Sequence, residues 1–259
     1  MDFLLDPTVL ALLCAVAFFA GFIDAIAGGG GLLTVPALLT AGLPPHLVLG
    51  TNKLAATFGS ATASYTYYKK RLFDPVYWRH ALVCTAIGAC IGVLVVDQIP
   101  KQTLEKVLPL IILGAAIYSL FGKVQSDDQH DLPEDNAKLR WQQRLQGLAL
   151  GFYDGIAGPG TGSFWMVSSM ALYKINLLLT SGLARSMNFV SNIVALVTFG
   201  LLGHIHVALG LSMGACLMIG SYFGAHTAIR FGSKLIKPLF ILMVMGIASR
   251  LIWQTWFSQ

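Results

Sequence analysis

Apolar residues along this chain come in long unbroken stretches, not in the alternation of a half-buried strand or the one-sided stripe of a soluble helix. Uncharged runs cover Thr8–Ile23, Ala81–Val96, Val107–Phe121, Ser186–Ile229 and Pro238–Ser249. Several supply most or all of a membrane span of about 20 residues. The run from Ser186 is too long for one crossing, and Gly200, Gly203, His204 and His206 mark where it turns. The pattern predicts ten helical pieces, at about 8–27, 31–43, 46–68, 76–96 and 104–121, then 146–157, 162–173, 177–202, 207–225 and 235–254. The fold class it implies is an all-α polytopic membrane protein.

Those ten pieces fall into two sets of five because the chain repeats itself. Residues 21–31 read GFIDAIAGGGG and residues 151–161 read GFYDGIAGPGT, with seven of eleven positions identical at an offset of 130. Further on, an offset of 132 sets Lys53 in GTNKLAATFGS against Arg185 in LARSMNFVSN. Each copy thus carries one acid and one base inside apolar sequence, a coincidence that low-complexity apolar composition does not readily produce. The expected organisation is an N-terminal repeat at 1–121, an acidic cytoplasmic linker at 122–140 and a C-terminal repeat at 141–259.

Charge then orients the copies. With loop 69–80 in the cytoplasm, carrying Lys69, Lys70, Arg71 and Arg79, its counterpart near 202–207 has no Lys or Arg. The counterpart of loop 97–103 is 226–237, which carries Arg230, Lys234 and Lys237. The positive-inside rule therefore predicts that the two copies are inverted. Twelve Lys and Arg fall inside and three outside, Lys101, Lys106 and Arg250, leaving Lys53 and Arg185 in the membrane. This requires each copy to be a broken-helix hairpin followed by three spans, with both termini external. Inverted halves give alternating access a geometric basis.

Composition agrees with the hydropathy pattern. Charged residues make up 11% of the 259, against about 25% in a soluble domain, and the mean hydropathy is +0.70. The net charge of +5 is scattered through short loops without an aromatic platform, so membrane topology explains it better than nucleic acid does. Cys14, Cys84, Cys90 and Cys216 all sit in apolar runs without metal or disulfide spacing. The opening segment lacks the basic start of a signal peptide and begins with Asp2 and Asp6 instead. Five acids between Asp127 and Asp135 read as a solvated linker. The six histidines form no ligand cluster: His46, His204 and His206 are placed at external turns, His80 and His226 near cytoplasmic ends and His130 in the linker. No metal, cofactor or catalytic nucleophile is expected.

The candidate chemistry lies around the two tips. GGGG at 28–31 lacks the remainder of a nucleotide loop and has no βαβ setting. It reads as a helix break at membrane depth, where glycine allows close backbone approach and frees amides toward a cavity. Gly30 and Gly160 are the tip residues expected at a substrate, and the half-helices that restart there offer N-terminal amides to an anion; close helix crossing is the alternative use of the same glycines. Lys53 and Arg185 each cost about 2.5–3.5 kcal/mol in lipid and should face protein or water, unless they snorkel to an interface. Asn52 and Lys53 adjoin Thr51, with Thr57 and Ser60 further along. Arg185, Asn188 and Asn192 share a helix face at i, i+3 and i+7, and their donors suit anionic oxygens. Asp24 and Asp154 fit three roles: pairing with the two cations, capping exposed amides, or carrying a coupling proton. For the last, the glycine-rich surroundings of Asp24 make it the first choice.

The two G-F-x-D-x-[IA]-A-G-x-G tips and the T-N-K segment after P-A-L-x-x-x-G resemble the sulfite exporter TauE/SafE family of membrane permeases, whose members include 4-toluene sulfonate uptake permease-like proteins. The likeness covers nearly the whole chain and points to bacterial members usually described only as probable membrane transporter proteins. It implies a multi-pass protein of the bacterial inner membrane that moves small sulfur-containing anions such as sulfite, thiosulfate or organosulfonates without an ATPase partner. It carries a substrate-binding role onto Asn52, Lys53, Arg185 and Asn188. Pro159 and Thr161 depart from the glycine run of the first tip, so the two sides need not bind alike. An anion channel and a carrier of a small carboxylate are the alternative functions, and the sequence leaves homo-oligomerisation and proton coupling open.

Overall fold

The computed structural model describes residues 6–121 and 132–231. Its helices are α1 (Pro7–Ala27), α2 (Gly31–Thr40), α3 (Pro45–Lys69), α4 (Arg79–Asp97), α5 (Lys101–Phe121), α6 (Ala137–Ile156), α7 (Thr161–Tyr173), α8 (Leu177–Leu201) and α9 (Val207–Phe231). Among the described residues there is no strand. The protein is therefore an all-α membrane protein. Four helices, α1, α4, α8 and α9, are long and apolar enough to cross a bilayer by length and composition. The piece expected at 235–254 and both chain ends lie outside the described residues.

Local sequence sets the boundaries. Asp6 caps α1 by accepting the Thr8 N–H at 2.8 Å, and Pro7 occupies the first helical position, where its missing donor costs nothing. Gly28 ends α1 at φ 80°, a conformation that L side chains resist. Thr161 opens α7 behind Gly160 at φ 84°. Asn176 caps α8 through the Leu179 N–H at 2.9 Å.

Two boundaries depart from the hydropathy reading: α9 continues to Phe231, into the stretch expected to be loop from 226, and α6 starts early. The helix expected from 146 starts at Ala137, because Asn136 accepts the Leu139 N–H at 2.9 Å and nucleates a polar stem, AKLRWQQRLQ, ahead of the apolar part. Residues 137–140 are thus helix and not linker. Hydropathy missed them because an amphipathic turn at a membrane surface carries no apolar run.

Packing places α3 and α8 at the centre. They lie against each other, with α9 and α1 on one flank and α4 and α6 on the other. Two-thirds of the most apolar window of α8 is buried, but only one-third of that of α1, so α8 is an inner helix and α1 an outer one. Large apolar side chains such as Leu12, Phe19, Ile87, Leu94 and Phe223 face outward, as a bilayer solvent permits. The flanking crossings are close: a Cβ on Gly88 would lie 2.7 Å from the Phe152 N in the α4–α6 pair, and one on Gly220 would lie 3.0 Å from the Phe22 N in the α1–α9 pair.

Candidate substrate site

Both helix breaks end at the middle of the bundle, where they interlock. A Cβ on Gly28 would stand 2.5 Å from the Ser163 N, and one on Gly31 would stand 3.2 Å from the Pro159 Cα. Only glycine lets these two backbones touch. Each break also fixes its aspartate. Asp24 Oδ1 accepts the Gly30 N–H at 2.9 Å, and Asp154 Oδ1 lies 2.9 Å from the Thr161 hydroxyl. One of the amides expected to face a ligand is therefore held by the chain's own carboxylate.

The cations arrive from α3 and α8. Lys53 is 2% exposed and Arg185 fully buried. Each pairs with the acid of the opposite tip: Lys53 Nζ lies 2.9 Å from Asp154 Oδ1 and Arg185 Nη1 lies 3.1 Å from Asp24 Oδ2. Arg185 Nη1 also donates to the Asp24 backbone carbonyl. Lys53, Asp154 and Arg185 are buried and Asp24 is partly so; such burial is tolerable because the charges pair, since an isolated ion out of water is far costlier.

Between the tips is a small cavity of about 30 Å³, room for a water or two and not for a bulky solute. Of the sequence-predicted residues, Gly30, Gly160, Asn52, Lys53, Asn188, Asn192, Asp24 and Asp154 all line it. Arg185 is not in the lining. Its guanidinium lies behind the tips, where a Cβ on Gly162 would come within 2.6 Å of Nη2. Thr51, Thr57 and Ser60 are also out of the lining. Thr51 accepts the His206 N–H at 2.9 Å, whereas Thr57 and Ser60 donate to their own helix at Lys53 O and Ala56 O, both at 2.7 Å.

Hydrogen bonds tie most of the lining together. Lys53 Nζ donates to Asn192 Oδ1 at 3.1 Å, and Thr34 Oγ1 donates to Asn52 Oδ1 at 2.6 Å. Thr34 and Thr161 went unrecognised as site residues in the sequence. Their signal was positional, since Thr161 opens α7 and Thr34 lies in the first turn of α2, and both turns start at a tip. Two buried polar atoms in the lining have no partner, Asp154 Oδ2 and Asn188 Oδ1.

At one end of the bundle, His204 Nε2 lies 2.7 Å from Asp97 Oδ1, and its ring stacks on His46 with centroids 5.2 Å apart. Among the described residues no group of three or more His, Cys, Asp or Glu is placed to hold a metal.

Residues 13–251 match the family described as Sulfite exporter TauE/SafE. The chain belongs to this family. It is 37% identical over 262 residues to a probable membrane transporter protein of Haemophilus influenzae, covering 99% of each chain. It is 32% identical over 262 residues to the probable membrane transporter protein YfcA of Escherichia coli, covering 98% of this chain and 93% of that one. A weaker match, 27% over 129 residues, reaches Sulfite exporter TauE/SafE family protein 3 of Arabidopsis thaliana and covers 45% of this chain and 27% of that one. No solved structure matches. As a TauE/SafE protein the chain is a membrane transporter and not an enzyme, as its sequence led us to expect. The TauE/SafE match spans both tips and both buried cations.

Proposed function

We propose that this protein carries a small anion, of the sulfite, thiosulfate or sulfonate class, across the bacterial cytoplasmic membrane by alternating access. The observation that carries the reading is the buried cavity between two helix breaks, lined by Lys53, Asn52, Asn188 and Asn192. Polar and ionisable groups inside an apolar bundle mark a solute pathway by default, even where, as here, Lys53 and Asn52 already have partners within the protein. Together with the Gly30 and Gly160 tips they supply directed donors for anionic oxygens. The sulfur preference follows the names of the family and of its plant member.

Alternating access draws support from the exchange of contacts between the halves, taken as residues 1–121 and, with the boundary moved to the start of α6, 137–259. Gly50 packs on the His204 carbonyl, and its counterpart Gly182 packs on the Leu72 carbonyl. Each contact is the other with the two repeats interchanged at an offset of 132. The ion pairs behave likewise, Lys53 with Asp154 and Arg185 with Asp24. Such an exchange is what any two-fold relation between the repeats produces; with the axis in the membrane plane, as the loop charges predict, swapping the conformations of the halves would move the opening from one face to the other. Lys69, Lys70 and Arg71 after α3 and Arg230 at the end of α9 then share the cytoplasmic side.

The test is flux in vesicles containing the purified protein, with sulfite, thiosulfate, sulfoacetate, taurine and simple carboxylates offered in turn. Saturable uptake of at least one sulfur anion is expected. Uptake of carboxylates alone moves the substrate class, rates far above a carrier's turnover indicate a channel, and no flux for any solute overturns the proposal.

A further inference from the structure

We propose that Asp154 binds one proton whenever the site binds an anion, because the anion enters by taking Lys53 away from Asp154. This rests on the anion-carrier reading above and adds the coupling group and its stoichiometry.

Charge balance sets the requirement. Among the described residues, Asp24, Lys53 and Asp154 are the ionisable ones of the cavity lining, and Arg185 behind it pairs with Asp24. Ionised, the four sum to zero. A monoanion added to this set leaves one uncompensated negative charge in a poorly solvated interior, which is strongly unfavourable. One proton restores neutrality. Lys53 stays an ammonium throughout and exchanges one counter-ion for another.

Geometry selects the carboxylate. Asp24 has both oxygens engaged, Oδ1 by the Gly30 N–H and Oδ2 by Arg185. Its cation is a guanidinium that stays protonated and is also fastened to the Asp24 backbone carbonyl. Asp154 Oδ2 is buried with no hydrogen-bond partner, which leaves an open position for a proton. Its cation is a lysine on a flexible stem, already bonded to Asn192. The small cavity favours the exchange: at about 30 Å³, an anion gains space when the Lys53–Asp154 contact opens. The protonated carboxyl then becomes a donor, and it and the Asn188 and Asn192 amides can all face the anion. A single added proton also favours a monoanion such as a sulfonate over a dianion such as sulfate or thiosulfate, so methanesulfonate should bind more tightly than thiosulfate.

The experiment is calorimetric titration of the purified full-length protein with methanesulfonate and thiosulfate between pH 6 and 8, where neither probe changes charge. Each titration is repeated in buffers of different ionisation enthalpy, so that protons taken up per anion are read directly. Wild type should take up about one proton per methanesulfonate, with affinity falling about tenfold per pH unit above the titration of the carboxyl. Asp154→Asn should bind with no uptake and no pH slope. Should that variant not fold, Asp154→Glu replaces it, and its pH midpoint must move. Binding without proton uptake in wild type, uptake retained by Asp154→Asn, or an unmoved midpoint in Asp154→Glu overturns the coupling and leaves the carrier reading intact. Failure of both probes to bind overturns the coupling together with the sulfur-anion reading.

Discussion

Lys53 and Arg185 hold equivalent places in α3 and α8 and reach the aspartate of the opposite tip, yet the two pairs sit in different surroundings. Lys53 and Asp154 both line the cavity. Arg185 has no exposure, stands behind the tips and clamps Asp24 by its side chain and its backbone carbonyl. A lysine ammonium is a compact charge on four rotatable carbons; a guanidinium is a planar fork that holds one geometry. The Arg185 pair is a latch that fixes one tip through side chain and backbone, whereas the Lys53 pair lines the cavity and is the one that opens in the proposed coupling. Sequence equivalence does not mean equivalent work.

Removing the latch should have the largest effect. Arg185→Gln leaves a partly buried Asp24 carboxylate without its cation and removes the donor to the Asp24 backbone carbonyl, a loss approaching the cost of about 3–5 kcal/mol for breaking a buried pair. The expected outcome is loss of most folded protein, measured as monodisperse yield in detergent. A well-folded Arg185→Gln with impaired anion binding would make both pairs working pairs and erase the contrast.

Next in size is Lys53→Gln. It should keep more folded protein than Arg185→Gln, because Lys53 lines the cavity whereas Arg185 also holds the Asp24 backbone carbonyl. Anion binding should weaken by about ten- to a hundredfold, the loss of one charge-assisted contact of about 1.5–3 kcal/mol, measured by titration with methanesulfonate. Unchanged affinity would remove Lys53 from the site.

The tip glycines sharpen the same comparison on a smaller scale. Gly28 and Gly158 have φ of 80° and 88°, so alanine at either carries a strain of about 1–2 kcal/mol. At Gly28 the new Cβ also meets backbone at 2.5 Å, whereas at Gly158 it meets the side-chain ends of Asp154 and Lys53 at 3.0 Å. Gly28→Ala should therefore lower the melting temperature more, and Gly158→Ala should disturb anion affinity more.

Smallest is the exposed Asp135–Arg140 pair ahead of α6, at 2.8 Å. Its hydrogen bond to Arg140 holds the Asp135 carboxyl below its usual range. A lowered folded pKa means the contribution is present above the unfolded value of about 3.9 and fades as pH falls through the folded one. Solvent screening keeps it slight. Asp135→Asn should leave the melting temperature at pH 7 nearly unchanged, marking how far an ion pair at the surface differs from the two inside.

Much of the architecture was legible because a bilayer imposes a coarse, one-dimensional requirement on sequence. Long apolar runs give the spans, and glycine with a turn of chain gives the breaks, so α1, α2, α3, α4, α5, α7 and α8 lie within a few residues of the expected pieces, whereas α9 runs on to Phe231. The polar stem of α6 escaped because its helix depends on the Asn136 cap and on a surface position, neither of which raises hydropathy. The repeat also singled out Asp24, Asp154, Lys53 and Arg185, since a charge in an apolar helix stands out without any structure.

Sequence alone singled out four charges in apolar sequence and a set of amides as candidates for one site. Tertiary structure decided who meets whom. The crossing of the tips pairs each cation with the acid of the other half, leaves Lys53 in the cavity and withdraws Arg185 from it. It also brings in Thr34 and Thr161, two ordinary hydroxyls in the sequence. The physical reason is that hydropathy and spacing report how far a residue lies from water along its own helix. Which oxygen faces which nitrogen depends on how closely two helices approach and at what rotation, and at this site that is set by glycine backbones in contact.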